Sequence, residues 1–273
     1  MNNNLEVQYC SLLRAILDDG KVSEGRNAVT SSIFGHQLKY YVGDKFPVPL
    51  MRKLYPKGVI GEMAAFLRGP KTVQDFEIEG CNYWKQWAKP DGSLNVDYGN
   101  KWIDFGGVNQ LENVISDLQL NPHSRRHLIS GWDPTNIAKS SLPCCHYAYQ
   151  FYVTQHGELN MVWIQRSIDV MIGLPSDIML ANMFIILVAY LTNLKPGAVT
   201  MQLGDCHIYG DHAFGAIEYL ARAERYSDRV TNPESFYPVY ELQMITDYKE
   251  FNNDSFRVTT WDQLDSISFK LHA

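Results

Sequence analysis

The chain of 273 residues is 45% hydrophobic and only 20% charged, a balance that excludes intrinsic disorder. Its net charge of −6 gives no footprint for a nucleic-acid backbone, although local basic clusters could hold a small anion. The five cysteines (Cys10, Cys81, Cys144, Cys145 and Cys206) show neither a paired framework nor metal-ligand spacing, and the opening Met-Asn-Asn-Asn-Leu-Glu lacks the basic start and apolar core of a secretory leader. A reducing, cytoplasmic setting with free thiols is the expectation.

Apolar spacing predicts a helix over residues 7–17, stopped by Asp18-Asp19-Gly20. Residues 31–42 read as strands broken at Gly35. A helix carrying Val59, Ile60, Met63, Ala64, Phe66 and Leu67 has Glu62 in its middle and ends at Gly69-Pro70. A second helix is predicted over 72–88, with Trp84 and Trp87 three apart on one face. A further helix is predicted over 108–118. Asn121 to Arg126 breaks it, and residues 127–132 resume as a strand. Leu142-Pro143-Cys144-Cys145-His146 then runs into an aromatic, β-branched strand over 149–153, and 159–166 is another. Residues 173–177 read as a turn feeding the apolar run 178–194. With Asn182, Thr192 and Asn193 inside it, that run falls short of the roughly 20 apolar residues of a membrane span and reads as a buried core helix. Pro196-Gly197 ends it. A strand over 199–209, a helix over 212–226 and a tail alternating strand and turn complete the chain. No repeat or linker divides it, so residues 1–273 read as one α+β domain with a mixed sheet packed by helices.

Three features carry possible chemistry. A thiol at the mouth of a strand, as in Cys144-Cys145-His146, could be a nucleophile or simply a small buried hydrophobe. Arg125-Arg126 could grip an anion or form a solvated loop pair. Glu62 lies among apolar residues, where a buried carboxyl rises in pKa and suits proton transfer, unless the helix phase turns it to solvent.

Several segments, in order, resemble thymidylate synthase and its relatives, the folate-dependent pyrimidine-nucleotide C5 transferases. They are Ser32–Gln37, Gly61–Gly69, Asn121–Arg126, Leu142–His146, Gln165–Asp169 with Gly173-Leu174-Pro175, and Gly204–Tyr209. The resemblance spans roughly residues 7–226 and implies a homodimer joined through the sheet, using 5,10-methylenetetrahydrofolate as one-carbon donor and no metal. It assigns Cys145 as the thiolate that adds to pyrimidine C6 and so makes C5 nucleophilic. Cys144 becomes a structural neighbour. Glu62 is implied as the general acid/base and Tyr98 as the tyrosine near the C5 proton, with His146 beside the thiol. Arg26, Arg125, Arg126 and Arg166 fit a phosphate dianion, the Arg125-Arg126 doublet reaching in from the other subunit. Gln165, Ser167, His207 and Tyr209 join the nucleotide set; Trp84, Trp87, Asp169 and Gly173 fall on the folate side. For the two tryptophans taken alone, a core stripe is the plainer reading.

Two departures from a synthase bear on specificity. Asp177 stands where synthases acting on uracil carry asparagine. A carboxyl sharing a proton with ring N3 meets the reversed donor–acceptor pattern of cytosine. The same exchange marks the family's deoxycytidylate branch. Ser176 replaces a bulky aromatic, and Ser268-Phe269-Lys270-Leu271-His272-Ala273 does not match the apolar tail that excludes water in synthases. Both changes would wet the pocket and favour water over hydride, giving 5-hydroxymethyl-dCMP. The alternatives are a dCMP methylase, an ordinary thymidylate synthase acting on dUMP, and a retired nucleotide-binding protein. A modified deoxycytidylate would suit a viral genome, with the enzyme in the host cytoplasm.

Overall fold

Six strands assemble into one mixed sheet in a computed structural model that describes residues 4–25 and 28–272. In chain order these strands are β1 (Lys21–Glu24), β2 (Val29–Tyr41), β3 (Leu128–Ser130), β4 (His146–Val153), β5 (Glu158–Asp169) and β6 (Lys195–Tyr209). Their order across the sheet is β1-β2-β6-β5-β4-β3, antiparallel throughout except for the β5–β6 pair. The helices are α1 (Leu5–Asp19), α2 (Pro56–Phe66), α3 (Val73–Ile78), α4 (Tyr98–Ile103), α5 (Gln110–Leu120), α6 (Gly173–Leu191), α7 (Ala213–Arg225) and α8 (Ser227–Thr231). A small antiparallel ribbon, β7 (Tyr240–Leu242) with β8 (Phe256–Val258), precedes a tail without regular structure.

The parallel pair explains α6. Parallel neighbours need a crossover, and the crossover helix must lie across the sheet. Helix α6 packs on β5, β6 and α2, which is why nearly every residue from Leu174 to Ala189 is buried and the sequence is apolar on all sides. It is long and apolar enough to cross a membrane, but most of it is buried inside the protein. The covered sheet face carries Leu38, Tyr40, Met161, Trp163, Val199 and Met201, all buried.

Near the C-terminal ends of β5 and β6 this alternation slips by one residue. Buried positions on β5 run Leu159, Met161, Trp163, Gln165 and then Ile168; on β6 they run Val199, Met201, Leu203 and then Cys206. The slips lie side by side, since Gln165 pairs with Leu203 and Ser167 with Asp205. Gly204 permits the close approach, because a Cβ there would sit 2.3 Å from the Arg166 carbonyl oxygen. Past the slip, Ser167, Asp169, His207 and Tyr209 line one pocket.

Four sequence expectations change. The helix expected over 72–88 stops at Ile78 because Gly80 adopts φ +83°, and the chain resumes as a 3-10 turn at Trp84–Trp87. The predicted turn at 173–177 is instead the first turn of α6, where Pro175 is tolerated because the first amides of a helix lack partners anyway. Pro196-Gly197 lies inside β6, at an irregularity in its pairing with β5, and the helix ends earlier, where Asn193 turns at φ 56°. Gly35 does not break β2; it sits at φ +81° within one continuous strand.

Candidate active site

A cavity of about 490 Å³ opens where α2, the 3-10 turn at Trp84–Trp87, the approach to β4, the ends of β5 and β6, and the start of α6 converge. That is the size of an ordinary small-molecule site. Cys145 is half-buried in its wall, at the last position before β4. Its backbone N–H donates to the Tyr98 hydroxyl at 3.0 Å, and its carbonyl accepts from Arg166 N at 2.9 Å. The Arg166 guanidinium is fixed in turn: Nε donates to the Cys144 carbonyl and Nη2 to the Pro143 carbonyl, both at 2.9 Å, leaving Nη2 4.0 Å from Cys145 Sγ. Burial raises the thiol pKa, and the Arg166 charge opposes that rise without overcoming it.

Two carboxyls face the same space. The Trp84 indole Nε1–H donates to Glu62 Oε1 at 2.8 Å. Burial pushes Glu62 up to about 8, with the indole pulling it down and Asp177 adding to the rise. Asp177, on the first turns of α6, accepts from Gln165 Nε2 at 2.6 Å. Burial pushes it up to about 7. At neutral pH Glu62 is mainly protonated, and Asp177 is divided between acid and carboxylate.

At the far wall, His207 Nδ1 lies 2.8 Å from Asp205 Oδ1, which orients the ring and leaves Nε2 for another partner. Asp169 Oδ1 accepts from Met171 N at 2.8 Å and Ile172 N at 3.1 Å, capping the approach to α6. Residues 269–272 return to this wall. His272 stacks on Tyr209 with centroids 4.2 Å apart and pairs with Asp211 at 2.9 Å, while His212 Nε2 donates to the Lys270 carbonyl at 2.7 Å. Asp211, His212 and His272 are also the one cluster of metal-ligand type among the described residues.

A family model described as thymidylate synthase matches residues 7–273. The chain belongs to the thymidylate synthase family. Membership implies a folate-dependent one-carbon transfer to a pyrimidine nucleotide, in a family whose members are generally folate- and nucleotide-binding homodimers.

Of the residues that the family resemblance singled out, Cys145, Glu62, Tyr98, Asp177, His146, Gln165, Arg166, Ser167, His207, Tyr209, Trp84, Trp87, Asp169 and Gly173 all line this cavity. Arg125 and Arg126 do not: both are exposed on the loop before β3 and make no salt bridge among the described residues. Arg26 lies outside the described residues. His146 follows the thiol directly and lines the same cavity. Burial holds its pKa near 3, and Nδ1 shares a 2.5 Å hydrogen bond with Tyr149, so the ring is a fixed neutral group at working pH. The tryptophans share one side of a 3-10 turn instead of a long helix, with ring centroids 5.3 Å apart, and both reach the pocket. Trp84 is tied to Glu62, whereas the buried Trp87 Nε1 has no hydrogen-bond partner among the described residues.

Sequence reasoning missed Arg52, Tyr83 and His272 as lining residues. Arg52 is held by the Met171 carbonyl at 2.6 Å and lies over the Phe269 ring. Only its basic character was visible beforehand. For His272 the visible signal was a mismatch to the family tail. The tail reaches the cavity, where Leu271 and the polar ring of His272 line its wall.

Proposed function

We propose that the protein is a deoxycytidylate 5-hydroxymethyltransferase: it joins a one-carbon unit from 5,10-methylenetetrahydrofolate to C5 of dCMP and releases 5-hydroxymethyl-dCMP. The observation that carries this reading is Asp177, a carboxyl near neutrality inside the pocket, bonded to Gln165 and facing the same cavity as the Cys145 thiol.

Cys145 Sγ bonds to C6 of the base and raises electron density at C5, which then forms the new carbon–carbon bond. The folate supplies the one-carbon unit, and Trp87, Asp169 and Gly173 would hold it. Glu62, protonated up to about 8, can pass a proton through water to the ring and later receive the C5 proton. Tyr98 anchors the backbone N–H of Cys145 and keeps the thiol aimed across the cavity. Loss of the C5 proton to Glu62 and cleavage of the bond from the one-carbon unit to the folate nitrogen, releasing tetrahydrofolate, would leave an exocyclic methylene on C5. Water oxygen then bonds to that carbon and gives up a proton to solvent, the double bond shifts back to C5–C6, and the C6–S bond breaks to return the thiolate. Capture by water is supported by the half-buried Ser176 and by His272 at the tail tip, neither of which dries the pocket as an apolar group would.

A homodimer through the sheet forms part of the reading. The sheet face opposite the core carries Gln150, Tyr152, Val162, Ile164 and Gln202, all half-buried to exposed in the single chain. A second copy docked there would bury that surface. The exposed Arg125 and Arg126 then become free to complete the partner's phosphate site, with Arg166 on the near side. A viral source and the host cytoplasm suit a modified deoxycytidylate.

Mass spectrometry of the product from labelled methylenetetrahydrofolate with dCMP or dUMP tests the reading. The expected result is 5-hydroxymethyl-dCMP without dihydrofolate absorbance. Stoichiometric dihydrofolate with dCMP would make the enzyme a methylase, and turnover of dUMP alone would make it a thymidylate synthase. In Asp177→Asn, preference should move toward dUMP. A Cys145→Ala variant with full biological activity would identify a nucleotide-binding protein instead.

A further inference from the structure

A neutral carboxylic acid does not by itself choose between the two pyrimidines. With its proton on the oxygen facing N3 it donates to N3 of cytosine and accepts from the N4 amino group. With the proton on the other oxygen, it accepts from N3–H of uracil and donates to O4. Selectivity therefore requires that the proton be confined to one oxygen of Asp177, and the group that does this must lie behind the carboxyl.

Gln165 is that group. Its Nε2 donates to Asp177 Oδ2 at 2.6 Å and lies 3.2 Å from the Ser167 carbonyl, so both amide hydrogens have acceptors. An oxygen that already receives an N–H bond is a poor place for a proton, so the proton of Asp177 belongs on Oδ1. The amide could in principle rotate by half a turn, presenting Oε1 to Asp177 and drawing the proton onto Oδ2. Trp163 prevents it. Its indole Nε1–H donates to Gln165 Oε1 at 3.2 Å, and an indole nitrogen can only donate. A rotated amide would set N–H against N–H in a buried site, at the cost of leaving a buried donor unpaired. Trp163 itself cannot rotate freely. It is fully buried, 4.8 Å from the Tyr149 ring and 4.4 Å from the His146 ring, and it does not line the cavity.

We propose that Trp163 is a specificity-determining positioning residue: through Gln165 it fixes which oxygen of Asp177 carries the proton, and so which pyrimidine the pocket accepts. The proposal rests on the cytosine reading given above, in which Asp177 Oδ2 faces the exocyclic amino group. Of the titratable groups that share the space with Asp177, which include Glu62, Asp169 and Cys145, Asp169 adds to the rise at Asp177, while Asp177 adds to the rise at Glu62 and Cys145; the hydrogen bond on Oδ2 comes from Gln165. The choice of oxygen is left to Gln165.

The test compares kcat/KM for dCMP and dUMP, with methylenetetrahydrofolate saturating, in the wild type, Trp163→Phe and Gln165→Glu. Phenylalanine keeps an aromatic ring but removes the N–H; glutamate keeps the length but must share a proton with Asp177. Both variants should lower the dCMP:dUMP ratio by about tenfold or more, the scale of one hydrogen bond to a charged group. The KM for folate should stay within about twofold, since neither side chain faces that part of the pocket. Simple packing damage lowers both substrates in parallel, so an unchanged ratio in both variants overturns the proposal. A ratio that moves only in Gln165→Glu removes Trp163 from the relay and likewise overturns it. If Trp163→Phe does not fold, a chain carrying β-(3-benzothienyl)alanine at position 163, which keeps the shape of the indole but lacks its N–H, decides by the same ratio. A wild type that prefers dUMP refutes the cytosine reading on its own, while any movement of the ratio still reports on the relay.

Discussion

Two clusters in this protein are built from the same three residue types and behave oppositely. In the pocket, Glu62, Cys145 and Tyr98 face a shared cavity. In the core, Glu6, Cys10 and Tyr219 close on one another: the Tyr219 hydroxyl donates to Glu6 Oε1 at 2.6 Å, Leu50 N donates to Oε2 at 2.8 Å, and Cys10 Sγ lies 3.8 Å from Oε1. Both glutamates are raised by burial, Glu6 to about 7 and Glu62 to about 8. A raised pKa alone does not mark a site. Glu6 has donors on both oxygens and no cavity; Glu62 has one indole donor and an opening in front of it. The thiols divide in the same way. Burial and the Glu6 charge push Cys10 up to about 12 with Arg14 opposing, whereas the rise at Cys145 is opposed by a guanidinium 4.0 Å away.

The sharpest way to break this contrast is to remove each thiol. Cys145→Ala should lose at least about 10⁴-fold in turnover, as loss of a covalent nucleophile does. Cys10→Ala should keep full turnover and lower stability by about 1 kcal/mol, the usual scale of a small core deletion. Comparable activity losses in steady-state assays of the two variants would erase the distinction. Removing the carboxyls comes next. Glu62→Gln should reduce turnover by about 10²- to 10⁴-fold, the range for a positioned acid or base, while Glu6→Gln leaves it intact.

The two glutamates should also differ in how they report on pH. A carboxyl with a raised folded-state pKa holds its proton more tightly in the folded chain than in the unfolded one. The stability it contributes is present below its ordinary 4.5 and is lost as pH rises to about 7. For Glu6 this amounts to about 3 kcal/mol, since each tenfold difference in proton affinity between folded and unfolded chain is worth about 1.4 kcal/mol. Urea unfolding of the wild type should weaken across that window, and Glu6→Gln should flatten the slope without a change in kcat. An unaltered slope in the variant would show that Glu6 stays protonated or solvated in both states. The smallest effect belongs to the tail. His272→Ala removes the Asp211 pair and the stack on Tyr209, and should raise KM severalfold with kcat nearly unchanged, since about 1 kcal/mol is at stake. An equal fall in kcat would move His272 from holding the tail to the chemistry itself.

Much of the pocket was legible in the sequence because its residues sit in short ordered segments. Leu142–His146 and Gln165–Asp169 carry their geometry locally, at the entry of one strand and the exit of the next. Glu6 was not singled out, because its partners Leu50 and Tyr219 lie 44 and 213 positions away. The helix expected over 72–88 failed for a local reason that patterning does not weigh, the left-handed turn at Gly80. His272 was legible only as a mismatch, since its partners at Tyr209 and Asp211 come from a distant turn.

By itself the sequence determined the class of fold and the family, and it singled out Cys145 and Asp177 for the roles proposed above, because strand patterning, one wholly apolar helix and contiguous motifs are all short-range properties. Only the tertiary structure decided the protonation of Glu62 and Asp177, the neutrality of His146, and the chain of hydrogen bonds from Trp163 through Gln165 to Asp177. Those depend on desolvation and on donors brought together across strands and helices, and neither is a property of any one stretch of chain.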